Sequence, residues 1–192
     1  MDSHTALVAA AWVLCVAATA LLIDTMRRAE LGWRMLAWVV SRGPVSNWLL
    51  KRAMRTPYGP VLSADGATVY MGRWWLFNPY DPSTYEAKYR WCPISVRVHF
   101  IKAPPCGRRS RGLPRRARSI GLAGGYVERR PGGRFFVRRP GDTTELKFGE
   151  YHKITNVMGT GALTLFITGR YRGPWGFWVD GDKVPWREYE RQ

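Results

Sequence analysis

The sequence predicts an all-β domain of sandwich or jelly-roll type behind an N-terminal helical extension. Three observations carry that prediction. After about residue 65 the apolar period changes from helical to two. Eight short segments rich in β-branched and aromatic residues then follow, separated by Gly, Pro, Asn and Asp turns. No segment beyond residue 60 carries a long helical stripe. Composition agrees with a folded core: 46% of the 192 residues are hydrophobic and ten are Trp. That length allows one ordinary domain plus an extension.

In chain order, residues 1–44 form an apolar extension, 45–64 a basic helix and linker, and 65–192 the β-domain. Residues 6–23, ALVAAAWVLCVAATALLI, carry no charge. As a helix they reach about 27 Å, a marginal membrane span. Arg27 and Arg28 follow the run. By the positive-inside rule they hold the C-terminal side in the cytoplasm, with residues 6–23 anchored in the inner membrane. The leader lacks the basic residues of a signal peptide. A second reading stays open: translation starts at Met26 or Met35, and the domain is soluble and cytoplasmic. Residues 45–55, VSNWLLKRAMR, read as a short basic amphipathic helix capped by Ser46, with Val45, Trp48, Leu49 and Ala53 on one stripe. It either rests on anionic lipid or docks on the β-domain, and Pro57-Tyr58-Gly59-Pro60 ends it.

The expected strands are 68–77, 94–101, 118–127, 135–138, 145–148, 152–157, 162–168 and 175–179. Gly159-Thr160-Gly161 is expected as a turn, and Val179-Asp180-Gly181-Asp182 as a tight hairpin. Gly121, Gly124 and Gly125 read as a bulge or close strand approach. Alternation puts Leu163, Leu165 and Ile167 on one core face and Val96, Val98 and Phe100 on another. It also sets Trp74 and Trp75 on opposite faces, so that one of them is expected at the surface or an interface.

Charge is uneven. Lys and Arg number 30 against 14 Asp and Glu, a net charge of +16. Residues 103–141 contribute eleven Arg and one acid, Glu128, or +10 of that total. Such a surface excludes a cationic partner and suits phosphate, anionic lipid or acidic protein. Arg108, Arg109, Arg111, Arg115 and Arg116 are the candidate anion-binding residues, because the planar Arg fork pairs two oxygens at once. A membrane-tethered module that binds nucleic acid or lipid through this loop is one function class, although no aromatic platform accompanies it between 103 and 125. A solvated loop without partner is the second reading. The third is a pair of compensating frame changes in the gene across residues 103–116. Three Cys and three His exclude a zinc-rich module or disulfide scaffold, and Cys92 pairs with Cys106 only in an oxidising compartment. No Gly-Lys-Ser/Thr phosphate loop occurs, and no Ser/His/Asp triad is credible.

The segment GEYHKITN, residues 149–156, has the spacing Gly-x2-His-x3-Asn. With SNWLLKRAMRTPY, GRWWLFNPYDP, VRVHFI, GGYVERR, RRPGDTTELKFGEYHKIT and TLFITGRYRGPWGFWVDGDKVPWREY, it resembles the cupin superfamily. More narrowly, the chain is similar to small cupin-like proteins of uncharacterised function common among bacteriophages. The resemblance covers roughly residues 46–190 and implies a double-stranded β-helix, or jelly roll. It makes Gly149 and Asn156 barrel-motif residues and His152 the second-motif metal ligand. Cupin enzymes hold one divalent metal, Fe, Mn, Ni or Zn, between two first-motif imidazoles, one second-motif imidazole and often a Glu. Relatives carry the first motif as His-Asp-His-Pro-Trp, and its slot falls on Arg111-Gly112-Leu113-Pro114-Arg115. Both His are gone. His99, His152 and Glu150 are the metal ligands that remain to be considered. The expectation is a degenerate site with no cofactor, in a non-catalytic or impaired cupin-like protein of unknown small-molecule substrate. The alternative is an active oxygenase or isomerase using His152. The resemblance further implies a homodimer by sheet pairing.

Overall fold

The computed structural model describes residues 3–63, 67–81, 83, 84, 86–104 and 109–189, and of residues 3–15, 17, 20, 22 and 23 the backbone alone. The chain divides into two compact units, residues 1–36 and 37–192. Helix α1 runs Ser3–Val40. Among the described residues no helix is long and apolar enough to cross a membrane. The anchor expected at 6–23 therefore finds no support, and most of its side chains lie outside the described residues.

The strands of the second unit pair antiparallel throughout. One sheet takes the order β1 (Pro57–Leu62), β2 (Val69–Phe77), β3 (Ser95–Ile101), β8 (Lys153–Thr168), β5 (Ala117–Arg129) and β6 (Phe135–Arg138), with β7 (Thr143–Leu146) also on β5. A three-stranded sheet takes the order β10 (Asp182–Pro185), β9 (Gly176–Val179) and β4 (Ser110–Arg111). A backbone bridge joins the sheets: Arg111 N donates to His152 O at 2.8 Å and His152 N to Arg111 O at 3.0 Å. The all-β class with a helical extension is thus the observed architecture. The β9–β10 hairpin turns at Asp180 (φ 49°) and Gly181 (φ 103°), the positive φ values that Asp-Gly supplies.

Several expected boundaries differ. The strands expected at 152–157 and 162–168 are one strand, β8, so Gly159-Thr160-Gly161 is not a turn. Those glycines instead bend β8 along its ladder with β5, whose register shifts around Ala123. There Gly124 has φ +66°, and a Cβ on it would meet the Gly161 carbonyl oxygen at 1.9 Å. The close strand approach expected at 121–125 is therefore real. The strand expected at 145–148 lies at 143–146. Strands β1, β4 and β10 were not anticipated: β1 begins where Pro57 was read only as a helix stop. Helix α2 runs Gly43–Ala53 behind Arg42, with Pro44 in its first turn. Ser46 is not the cap. Its hydroxyl donates to Gly43 O at 3.1 Å from inside the helix. Leu49 and Ala53 are buried where α2 packs on β2, β3 and β5, while Trp48 is 61% exposed.

Leu163, Leu165 and Val98 belong to the buried core, as expected, while a cavity is lined from the opposite face of the same strands by Arg97, His99, Thr164 and Phe166. Both faces of β3 and of residues 161–168 of β8 are largely enclosed, and α2 packs on β3. Trp75 is buried and Trp74 half-buried, as opposite faces require.

Candidate functional site

The interior cavity has a volume of about 100 Å³. Its floor comes from β2, β3 and β8, where register sets Arg73 opposite His99 and His99 opposite Thr164. Successive inward positions of β3 bring Arg97 and His99 to the same wall. The opposite wall carries His152, Arg111 and Leu113, with Glu128 from β5. The Arg111–His152 backbone bridge fixes this wall and sets Arg111 beside His152.

Each charge has a different environment. Glu128 is 2% exposed and ion-paired: Arg138 Nη2 lies 2.8 Å and Arg130 Nε 3.2 Å from its two oxygens, and the hydrogen bond comes from Arg138. Arg130 also donates to Glu150 Oε1 at 2.6 Å and to Thr144 Oγ1 at 3.0 Å. Arg73 donates Nε and Nη2 to the Gly59 carbonyl at 2.9 and 2.7 Å and lies over the Tyr58 ring. Burial lowers its pKa to about 10, with Arg97 and Arg111 adding to the fall. Arg97 is 7% exposed. Its Nε has no hydrogen-bond partner, and its guanidinium carbon stands 5.2–5.7 Å from the rings of Tyr58, Trp75, Tyr80 and Phe166.

Both imidazoles are neutral near pH 7. Burial pushes His99 well below its usual range, and Arg97, Arg73 and Arg111 push it further. Burial lowers His152 to about 4, against the pull of Glu128. His99 Nε2 and His152 Nδ1 are buried without a partner, and the His99 ring stacks on Phe166 at 4.8 Å. Tyr126 rises to about 12 through burial and the nearby Glu128 charge.

The expected site residues separate. His99 and His152 share the cavity. Glu150 is drawn off to Arg130 and accepts from Lys147 N at 3.1 Å. Gly149, at φ +75°, shapes the turn before His152. Asn156 is exposed, and its Oδ1 accepts from Val157 N at 2.9 Å. Of the expected anion-binding set, Arg109 and Arg111 line the cavity. Arg115 is buried, donating to Gly169 O at 3.1 Å and lying 4.0 Å from the Tyr80 ring. Arg116 pairs with Glu145 at the surface. Arg108 and Cys106 lie outside the described residues. The sequence reading missed Arg73, Arg97 and Glu128. Arg97 had a signal: it is a charged residue between Val96 and Val98 in a mostly apolar strand.

No family model matches the chain, and no curated protein matches it. Solved structures that resemble it are cupin-2 domain proteins and cupin-fold enzymes. A cupin 2 conserved barrel domain protein from Rhodopseudomonas palustris is 14% identical, with 66% of this chain and 78% of that one covered and a TM-score of 0.46. A cupin-2 domain from Rhodospirillum rubrum is 12% identical, covering 59% and 68%, with a TM-score of 0.44. A DMSP lyase structure is 15% identical over 52% of this chain, with a TM-score of 0.39; the chain spans about half of that protein, 47%.

The resemblance implies a divalent metal, and these residues do not fit one. Among the described residues no group of three or more His, Cys, Asp or Glu side chains is placed to hold an ion. His99 stands among Arg73, Arg97 and Arg111, and His152 near Arg111 and Arg130, cations whose charges oppose a dication. The one cavity carboxylate, Glu128, is already neutralised by two guanidiniums.

Proposed function

We propose that the chain is a cupin-like barrel that has given up metal catalysis and binds a small molecule in its interior. One observation carries the reading: Arg111 and Leu113, where the resemblance expects imidazoles, line the cavity directly beside His152. A guanidinium and an isobutyl group at those positions replace two nitrogen donors by a cation and an apolar surface. His152 then serves as a neutral polar group of the wall. The cavity is partly open and keeps the few convergent polar groups of a ligand site.

The test is metal content. Full-length protein from cultures supplemented with Fe, Mn, Ni and Zn is expected to carry substoichiometric metal. The double substitution Arg111→His with Leu113→His is expected to raise the content toward one ion per chain, because it restores two donors and removes a positive charge. Stoichiometric metal in the natural chain, lost on His152→Ala, overturns the reading in favour of a metal-dependent enzyme.

A further inference from the structure

We infer that the cavity binds a small oxyanion, a carboxylate or phosphate group, with the Arg97 guanidinium as its principal donor. This rests on the reading of the chain as a metal-free binding barrel and names its ligand class. Charge balance carries it. Arg73, Arg97, Arg109, Arg111 and Lys153 line the cavity against a single carboxylate, Glu128. Glu128 is itself claimed by Arg130 and Arg138, and Arg109 reaches out to Asp180 at 3.4 Å; among the described residues no carboxylate is paired with Arg97.

Arg97 is the decisive case. An arginine does not deprotonate at any physiological pH, so it cannot escape burial by losing its charge. Taking that charge from water is costly even after relaxation. Four rings at 5.2–5.7 Å return part of that cost through cation–π contact. The rings cannot satisfy the N–H donors, and Nε has no partner. Arg97 lines the cavity with no carboxylate set against it among the described residues, and a planar or tetrahedral anion there can accept two hydrogen bonds at once from a guanidinium. Around the same space the neutral His99 Nε2 and His152 Nδ1 also lack partners. A space of about 100 Å³ holds several waters and therefore a small oxyanion group that displaces them.

The experiment uses the full chain, chelator-treated and exchanged into dilute Tris buffer. It is titrated by calorimetry and thermal melting with sodium phosphate and, separately, sodium acetate, each against sodium chloride at matched ionic strength. At least one oxyanion is expected to bind saturably and to raise Tm with concentration. Phosphate alone assigns a tetrahedral ligand and acetate alone a carboxylate. Arg97→Gln is expected to weaken binding roughly 10- to 100-fold, the loss of one or two hydrogen bonds to a charged group. Arg116→Gln, outside the cavity, leaves binding unchanged. No response to either anion beyond that to chloride overturns the inference, as does Arg97→Gln binding as tightly as the natural chain. Should that variant fail to fold, Arg97→Lys keeps the charge and loses the fork. A loss of affinity in it supports the inference, and undiminished affinity overturns it. Metal content is read on the same preparation before chelation. Stoichiometric metal there sinks the metal-free reading, while the titration of the chelated protein still decides the anion.

Discussion

The two ends of the cavity handle buried charge in opposite ways. At the β5–β6 end, Glu128 is enclosed at 2% exposure, hydrogen-bonded by Arg138 and within ion-pair distance of Arg130. At the β2–β3 end, Arg97 is nearly as enclosed and meets only aromatic rings. The first arrangement completes itself within the chain and is explained by folding. The second costs free energy in the absence of a partner, and selection tolerates such a cost where a ligand offsets it.

Substitution at the two ends tests that difference most strongly. Glu128→Gln leaves two guanidiniums buried around a neutral amide, and removing one member of a buried pair costs about 3–5 kcal/mol. Urea unfolding is expected to show that loss as a lower midpoint with little change in slope. Arg97→Met, in anion-free buffer, is expected to match or exceed the natural chain, because an unpaired charge gives way to an apolar side chain of similar length. A large loss on Arg97→Met would make the aromatic contacts a structural feature and erase the contrast between the ends.

How far the sequence foretold this differs for fold and site. Strands such as 135–138, and 95–101 to within a residue, were legible because period two and β-branched residues mark them directly. Alternation gives the phase of a strand but not which side is the interior. Both faces of β3 and of residues 161–168 of β8 are largely enclosed, so the apolar set of Val98 and Leu165 marks a core face without revealing that Arg97 and Thr164 line a cavity on the other. Gly159 and Gly161 looked like a turn because local sequence cannot tell a reversal from a bend that continues the ladder with β5. The resemblance, not composition, located Arg111 and Leu113 beside His152: β4 has two residues and leaves no periodic trace. Glu128 was hidden by the basic tract around it, since its two partners are supplied from β5 and β6 by pairing that only the folded sheet creates.

Acid brings both ends into one measurement. His152 titrates near 4 when folded against about 6.5 when unfolded. A group whose folded value is depressed supplies stability that is fully present above pH 6.5 and is lost as pH falls toward 4. At 1.36 kcal/mol per pH unit, this single imidazole accounts for about 3 kcal/mol at most. His99, lowered in the same direction, adds to it. The groups bearing on His152 are Glu128 and Glu150, which favour its protonation, and Arg111 and Arg130, which oppose it. Unfolding free energy measured from pH 7 to 4 is expected to fall steeply, and His152→Gln to flatten the slope. A bound oxyanion beside Arg97 is expected to shift the fall of the natural chain to lower pH only if the anion itself stays ionised, which phosphate does throughout this window.

The smallest expected effect sets the baseline for the others. Arg116 and Glu145 form the same chemical pair as Arg138 and Glu128, but Arg116 is largely exposed. Water already solvates both groups in the unfolded chain and most of Arg116 in the folded one, so little desolvation is at stake. The contact holds the Glu145 carboxyl below its usual pKa. Even so, an exposed pair typically contributes about 0.2–1 kcal/mol and is screened by salt. Arg116→Gln is therefore expected to move the urea midpoint by only a few tenths of the Glu128→Gln change, and by less still at high salt. If the two substitutions cost the same, burial does not separate them. The enclosure of Arg97 would then give no reason to look for its missing anion.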